Sequence, residues 1–339
     1  MKTTYWDINE DQKDVIKEEA DAIRQGEVIA FPTETVYGLG ADATNRDAVN
    51  KIFKAKGRPS DNPLIAHIGD VKQAASITTS IPEKAKALMD AFWPGPLTII
   101  LQSNGVCAEN VTAGLQTIGV RFPDHPTAIA LLKAVGKPVA APSANVSGRP
   151  SPTTAAHVLD DLNGKIYGIL DGGSTGIGVE STVLDCTEEI PVILRPGGVT
   201  KEMMEEVVGE VQVDSALHDK KEKPKAPGMK YTHYAPNAPL WLVEGSIDHM
   251  LQVVKDLIHQ GKKVGVMVSE EHQHLFSNAI VKSCGKKSDL HEIARNIYDV
   301  LRSFNEEDID IIVGETYPKS GVGVAIMNRL EKAASKIVR

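Results

Sequence analysis

The amino-acid sequence predicts an α/β protein in which a twisted mixed sheet flanked by helices is joined through a linker to a small parallel α/β domain. Two observations support the first part: apolar, strand-like runs recur between residues 27 and 195, and their spacing is too irregular for a simple alternation of strand and helix. A third observation supports the second part, because strand and helix patterns alternate regularly after residue 240. Regular alternation is typical of a parallel sheet.

The N-terminal part begins with an amphipathic helix over residues 11 to 25, which Gly26 ends. A strand over residues 27 to 31 follows, and a second helix is predicted from Asn45 to Lys56, with Gly57 as its stop. Apolar runs, several bounded by Pro or Gly, predict further strands at 64 to 68, 97 to 101, 118 to 122, 138 to 141, 166 to 170, 181 to 185 and 191 to 195.

A change of composition marks the domain boundary. Residues 209 to 239 are polar and rich in Lys and Pro, as linkers are. We therefore expect domains at 1–208 and 240–339 with a linker at 209–239, in agreement with a length of 339 residues, which exceeds what one core usually serves. Beyond the linker the predicted elements are strands at 240–244, 263–268, 278–282 and 309–313 and helices at 247–260, 270–276, 289–304 and 323–335.

Composition excludes several classes of protein. No apolar run approaches the ~20 residues that span a bilayer, and the N-terminus lacks the apolar core of a secretory signal. We expect a cytoplasmic protein with no membrane contact. The three cysteines, Cys107, Cys186 and Cys284, form no C-x-x-C pair, so reduced core thiols are expected and a protein metal site is not.

The net charge of −8 argues against a grip on nucleic acid by the whole surface. A local basic groove is compatible with this charge, so a non-enzymatic RNA-binding module is an alternative. The lack of an aromatic stacking motif and of an arginine-rich tail counts against it. Gly321 and Gly323 begin a dinucleotide-binding pattern, but Ile326 stands where its third Gly should be, and dinucleotide binding is not expected.

A cluster of cations follows the helix that ends at Lys56. Lys56 and Arg58 stand two residues apart in a turn that Pro59 stiffens. Cations at this place can simply complement the helix dipole. The point charge of Lys56 beside the bidentate guanidinium of Arg58 also suits phosphate oxygens. For this segment alone, helix capping and phosphate binding both stay open.

Small polar residues follow two of the predicted strands. Ser143 and Asn145 come after the strand at 138 to 141, and a Gly- and Ser-rich run from Asp171 to Thr182 follows the strand at 166 to 170. The carboxyl ends of strands are where α/β sheets place ligands. Turns use the same residue types, so neither run is specific by itself.

Two arginines, Arg121 and Arg195, end apolar strands. A charge at such a position is rarely buried unpaired, so each requires an anion, either a protein carboxylate or a ligand. The segment from Phe31 to Leu39 adds hydroxyls, a carboxylate and a phenol directly after another strand.

In this order, the segments together resemble the YrdC-like domain of the threonylcarbamoyl-AMP synthase family. The match covers roughly residues 11 to 208, and its motifs are Pro32-Thr33-Glu34-Thr35-x-Tyr37-Gly38-Leu39, Lys54-x-Lys56-x-Arg58-Pro59-x-x-x-Pro63-Leu64, Trp93-Pro94-Gly95-Pro96-Leu97-Thr98, Val120-Arg121-x-Pro123, Ser143-Ala144-Asn145 and Leu194-Arg195-Pro196-Gly197. The segment from Ala226 to Pro236 resembles the linker of the two-domain branch, in which it acts as a lid before a small Rossmann-like domain.

The resemblance implies a nucleotidyltransferase that makes L-threonylcarbamoyl-AMP from L-threonine, bicarbonate or CO₂, and ATP, with release of pyrophosphate. This is the first step of the threonylcarbamoyladenosine modification of tRNA, and Mg²⁺ is expected with ATP. A separate transferase complex would act downstream, so contact with tRNA is indirect. A related carbamoyl-transfer maturation enzyme carries zinc fingers, and the absence of C-x-x-C pairs argues against it.

The resemblance also implies the site residues. Lys56, Arg58, Ser143 and Asn145 are the catalytic candidates. The ATP-binding candidates are these four with Asn62, Ser151, Arg195, Tyr231 and His233, and the threonine-binding candidates are Thr33, Tyr37, His67, Arg121 and Ser181. On its own sequence context His67 is equally well explained as a core histidine.

Overall fold

The computed structural model describes residues 2–8, 12–215 and 233–339. Contacts between these residues divide the chain into two compact units. The smaller unit comprises Gly148–Ser151, Ile177–Val179 and the residues after the second gap, and the larger unit comprises the rest. Most of the predicted linker falls on residues 216–232 and so lies outside the described residues.

The larger unit contains one mixed sheet, to which its described residues contribute eleven strands. In chain order they are β1 (Thr4–Asp7), β2 (Ile29–Phe31), β3 (Gly38–Asp42), β4 (Ile65–His67), β5 (Leu97–Gln102), β6 (Thr117–Arg121), β7 (Val139–Ala140), β8 (Gly168–Asp171), β9 (Thr182–Asp185), β10 (Val192–Arg195) and β11 (Gln212–Val213). Their order across the sheet is β1-β8-β2-β3-β7-β4-β6-β5-β9-β10-β11. β6 pairs parallel with β4 and antiparallel with β5, which confirms the predicted mixed sheet.

Helices connect these strands. They are α1 (Gln12–Arg24), α2 (Arg46–Lys56), α3 (Lys72–Ile77), α4 (Glu83–Phe92), α5 (Glu109–Thr112), α6 (Pro126–Val135), α7 (Ala155–Leu162) and α8 (Lys201–Val208). The side chain of Asn45 caps α2 by accepting from the backbone N–H groups of Asp47 and Ala48. Gly57 ends α2 with φ of 61°, a left-handed conformation that favours glycine. The last residue of α2 is thus Lys56, as predicted.

The two faces of the sheet are covered differently, because side chains alternate along each strand. Ala30, Leu39 and Val120 point into the main core with helices α2, α4 and α7. On the opposite face, Ile29 and Phe31 pack in a second core with α1 and α6. A small separate cluster, formed by Ile65, Ile100, Val183 and Leu194, spans β4, β5, β9 and β10.

The smaller unit contains a parallel sheet, as predicted, with five strands in the described residues where the sequence predicted four. Its elements are β12 (Leu240–Val243), α9 (Ile247–His259), β13 (Val264–Val268), β14 (Ile280–Ser283), α10 (Leu290–Ser303), β15 (Ile311–Glu315), α11 (Gly323–Ala333) and β16 (Ala334–Val338), with 3₁₀ helices at Glu270–Leu275 and Phe304–Glu306. The strand order is β14-β13-β15-β12-β16. The apolar stripe of α10 is buried, as expected for a core-facing helix.

Four strands lie where the sequence patterns predicted none: β1, β3, β11 and β16. β1 forms because it pairs parallel with β8, and β11, inside the predicted linker, forms because it pairs parallel with β10. Residues 38 to 42 form β3, for which the sequence predicted no strand, because Gly40 packs against the ring of Phe31: a Cβ atom at Gly40 would lie 2.8 Å from Cε1 of Phe31. The helix expected at 323–335 ends at Ala333, and the chain continues as β16 because those residues pair with β12.

Three further observations apply only to the part of the chain that the structure describes. No helix in this part of the chain is long and apolar enough to cross a membrane. The three cysteines are buried and free. Within the same residues, no group of three or more His, Cys, Asp or Glu side chains is arranged to hold a metal ion.

Candidate active site

The segment that leaves β2 folds around the hydroxyl of Thr33. Thr33 Oγ1 donates to the carbonyl of Val36 at 2.6 Å and accepts from the backbone N–H groups of Thr35 and Val36 at 3.2 and 3.3 Å. It also lies 2.9 Å from Oγ1 of Thr35. Such local bonds are typical of a hydroxyl turn, and here they fix the direction of the Thr35 side chain.

Arg121, at the end of β6, is the charged centre of this region. It is 4% exposed, and its Nη2 donates to Oγ1 of Thr35 at 2.9 Å and lies 2.8 Å from Oε1 of Glu34. The sequence left open whether its partner is a protein carboxylate or a ligand, and Glu34 is such a carboxylate. Nε of Arg121 has no hydrogen-bond partner among the described residues, so the guanidinium retains a donor for a ligand.

His67 pairs with Arg121 across strands β4 and β6. Burial, followed by the neighbouring Arg121 charge, lowers the pKa of His67 to about 3, so the imidazole is neutral at pH 7. Its Nδ1 lies 3.2 Å from the carbonyl oxygen of Ile65, which can only accept. The proton is therefore on Nδ1, and Nε2 is an acceptor. The ring also lies edge-on to Phe31, with centroids 6.2 Å apart.

Ser181 and Arg195 form a second polar group in the larger unit. Nε and Nη2 of Arg195 donate to the carbonyl of Ser181 at 3.1 and 3.0 Å, and Nη2 lies 3.2 Å from Oγ of Ser181. The same Oγ is 2.8 Å from Oγ1 of Thr98. Thr98 in turn is the residue opposite Arg121 in the β5–β6 ladder, so the two groups lie on adjacent strands.

Lys56, Ser143 and Asn145 form the third group. Lys56 is 2% exposed, and its Nζ donates to the carbonyls of Ser143 and Asn145. Ser143 Oγ donates to Oδ1 of Asn145 at 2.6 Å. The backbone N–H of Ser147 donates to the carbonyl of Lys56 at 2.9 Å. The end of α2 and the loop after β7 are thus held together, as the two motifs require if they share a ligand.

The loop after α2 brings Arg58 back toward Pro63. Its Nη2 donates to the carbonyls of Asn62 and Pro63 at 3.3 and 3.2 Å. Asn62 is 1% exposed, and its Oδ1 has no partner among the described residues. A buried amide oxygen without a partner is costly, which fits an acceptor that meets a ligand donor.

Tyr37 is buried, and its hydroxyl donates to the carbonyl of Gly173 at 2.7 Å and accepts from the N–H of Gly172 at 3.2 Å. Burial, together with the charge of Asp171, raises the pKa of Tyr37 above its ordinary value. The hydroxyl of Tyr37 therefore orders the loop after β8. The structure does not connect it to the Arg121 group by a side-chain bond within the described residues.

Three ATP-binding candidates are not brought into these groups by the described residues. Ser151 is buried and belongs to the smaller unit. His233 is also in that unit, with its ring 5.5 Å from that of Tyr234. Tyr231 lies outside the described residues, so its role stays a prediction.

Sequence reasoning missed three residues of these groups: Glu34, Thr35 and Thr98. Each stands inside one of the family motifs given above, in which other residues or none were predicted as site residues. The signal that would have found Thr98 is a hydroxyl in an apolar strand, at Leu97-Thr98-Ile99-Ile100, where a buried hydroxyl requires a polar partner.

Comparison with known proteins assigns a family to both parts of the chain. Residues 21–197 match the Sua5/YciO/YrdC family model described as telomere recombination. Residues 199–335 match the model of the threonylcarbamoyl-AMP synthase C-terminal domain.

Individual relatives cover the whole chain. The threonylcarbamoyl-AMP synthase of Bacillus subtilis is 54% identical over 346 residues, covering 100% of both chains. That of Pyrococcus abyssi is 48% identical and covers 93% of this chain and 92% of its own. The crystal structure of Pyrococcus abyssi Sua5 complexed with L-threonine superposes with a TM-score of 0.93 at 44% identity, over 100% of this chain and 99% of that one.

Proposed function

This chain belongs to the threonylcarbamoyl-AMP synthase family, and on that premise we propose that it makes L-threonylcarbamoyl-AMP from L-threonine, bicarbonate or CO₂, and ATP, releasing pyrophosphate. It is then a nucleotidyltransferase that starts the threonylcarbamoyladenosine modification of tRNA. A separate transferase complex acts downstream, and tRNA is met only indirectly. We place the reaction in the cytoplasm, where buried free thiols such as Cys107 and Cys186 stay reduced.

One observation carries the proposal: a single short segment connects the residues assigned to threonine with those assigned to phosphate. Thr35 holds Arg121 through its hydroxyl. Two residues later, the carbonyl of Tyr37 accepts from the N–H of Ala144 at 2.8 Å, inside the loop that Lys56 grips. A reaction that joins an amino acid to a nucleotide needs these two groups as neighbours.

The amino-acid end of the substrate has complementary partners in the Arg121 group. The open Nε donor of Arg121 suits the carboxylate of L-threonine. The unprotonated Nε2 of neutral His67 suits a donor, either the hydroxyl or the amine. We propose that Thr33 acts by shaping this pocket through its turn and that Ser181 closes it.

The chemistry consists of two steps. The threonine amine adds to CO₂, or to bicarbonate with loss of water, and forms a carbamate. A carbamate oxygen then attacks the α-phosphorus of ATP, the bond to the β-phosphate oxygen breaks, and pyrophosphate leaves. Negative charge grows on the phosphate oxygens as this bond breaks, and fixed cations lower the barrier.

We propose that Lys56, Arg58 and Arg195 supply these cations and that Mg²⁺ enters with ATP as part of the substrate. Ser143 and Asn145 orient Lys56 and present their polar groups to the phosphates, and Asn62 offers its open acceptor to the nucleotide. Ser151, Tyr231 and His233 stay predicted ATP ligands on the family resemblance alone, and so does the prediction that the linker acts as a lid that keeps water from the carbamate and the mixed anhydride.

The test is pyrophosphate release from ATP, Mg²⁺, bicarbonate and L-threonine, with each omitted in turn and the adenylate detected by mass. The expected result is release that requires both threonine and bicarbonate. Lys56→Met should abolish it, whereas Lys54→Met, an exposed lysine on the same helix, should not. Pyrophosphate release that ignores threonine in a folded sample would overturn the proposal.

A further inference from the structure

Thr98 has no role in the reaction as described above, yet its position is unusual for a hydroxyl. It lies in the apolar strand β5 and is fully buried, with Ile65, Ile100 and Val183 around the same small pocket. Among the described residues, Ser181 Oγ, at 2.8 Å, is the partner of its hydroxyl. Burying a hydroxyl in apolar surroundings is costly, so this bond has a purpose that an apolar residue would not serve.

The rotamer of Thr98 is restricted by packing. A β-branched side chain has a stiff χ1, and the methyl group of Thr98 lies over Gly119 of β6, where a Cβ atom would be 3.2 Å from Cγ2 of Thr98. With the methyl held there, the hydroxyl points at Ser181. Gly119 thus provides the space that fixes the direction of the Thr98–Ser181 bond.

Ser181 passes this constraint to Arg195. A guanidinium can only donate, so Ser181 Oγ accepts from Nη2 of Arg195 at 3.2 Å. The Ser181 carbonyl accepts from Nε and Nη2 of the same guanidinium at 3.1 and 3.0 Å. Ser181 therefore contacts two nitrogens of the guanidinium, and its side-chain contribution depends on a rotamer that Thr98 holds.

We propose that Thr98 is a positioning residue for ATP: through Ser181 it orients the guanidinium of Arg195 for the phosphates. Without the Thr98 hydroxyl, Ser181 Oγ can rotate away, and its bond to Nη2 of Arg195 is lost while the bonds to the Ser181 carbonyl remain. This inference rests on the proposed function, since it assigns Arg195 to the nucleotide.

The experiment compares Thr98→Val, which keeps the branched shape and removes the hydroxyl, with Thr98→Ser, which keeps the hydroxyl. In Thr98→Val the hydrogen bond from the charged Arg195 guanidinium to Ser181 Oγ is lost. Loss of one such bond predicts that kcat/KM for ATP falls about tenfold at saturating threonine. Thr98→Ser should stay within about threefold of the wild type. A structural role alone would lower the thermal midpoint and leave the kinetics of the folded enzyme unchanged.

A double-mutant cycle isolates the route through Ser181. In a Ser181→Ala background, Thr98→Val should cause no further loss of kcat/KM for ATP, because the hydroxyl it would act on is absent. Additive losses would overturn the inference, as would wild-type kinetics in Thr98→Val. A wild-type enzyme with no threonine-dependent pyrophosphate release would instead refute the proposed function, so the two failures are distinguishable.

Discussion

Glu19 offers a test of the packing between helix α1 and the sheet. It is fully buried in the second core of the larger unit, beside Ile16, Ala20 and Ile23, and neither carboxylate oxygen has a hydrogen-bond partner among the described residues. Burial, with a smaller effect from the charge of Glu18, raises its pKa from 4.5 to about 9. The folded protein therefore holds this carboxyl group protonated at neutral pH.

The sign of the pH dependence follows from proton linkage. Between the unfolded pKa of 4.5 and the folded pKa of about 9, only the folded state binds this proton, so stability falls by about 1.4 kcal/mol for each unit of rising pH. From pH 5.5 to 7.5 the loss is about 3 kcal/mol. Below pH 4.5 both states are protonated and the penalty vanishes.

Glu19→Gln removes the titrating group and keeps its shape. Urea unfolding at pH 5.5, 6.5 and 7.5 should show the free-energy difference between variant and wild type moving in favour of the variant by about 3 kcal/mol over this range. Comparing pH values cancels the constant cost of burying an amide. Asp14→Asn, at an exposed position of the same helix, is the matched control for the change in net charge and should not reproduce this trend. A pH-independent difference for Glu19→Gln would refute the reasoning.

Three further predictions concern the site. Arg121→Lys removes the guanidinium that we propose binds the threonine carboxylate, and it should raise KM for L-threonine at least about tenfold with a smaller change in KM for ATP. Equal changes in both KM values would contradict this assignment. Because the pKa of His67 is about 3, its NMR ring signal should not titrate between pH 5 and 8. The signal is assigned by its absence in His67→Asn. A titration midpoint near 6.5 would show instead that the site is open to water. A Cβ atom at Gly197 would lie 2.2 Å from the backbone N of Thr182. Gly197→Ala should therefore lower both the thermal midpoint and the rate of pyrophosphate release. Gly176→Ala is the control, because the nearest atom to a Cβ atom there is 3.9 Å away.

Periodicity predicted the elements that local residues determine. Helix α2 ends where Gly57 adopts a left-handed φ, and α10 buries its apolar stripe. Strand β3 escaped prediction because its glycines have low strand propensity, and its formation depends on the ring of Phe31 filling the space beside Gly40. Strand β16 escaped because Ala and Lys favour helix locally, whereas pairing with β12 decides the outcome.

The sequence motifs predicted which residues belong to the candidate site. Lys56, Ser143 and Asn145 do come together, although they are far apart in the chain. The partners of each residue were not predictable, because they depend on strand register. Thr98 reaches Ser181 only because β5 pairs parallel with β9. Residue types predicted the chemistry, and tertiary pairing determined its geometry.

In the proposed reaction a carbamate of threonine, not threonine itself, attacks ATP. Incubation of the protein with ATP, Mg²⁺, L-threonine and ¹³C-bicarbonate, followed by mass detection of the adenylate, tests it most directly. We expect threonylcarbamoyl-AMP that carries one ¹³C atom, formed together with pyrophosphate. An unlabelled adenylate with the mass of threonyl-AMP would contradict it, because the amino-acid carboxylate would then be the attacking group.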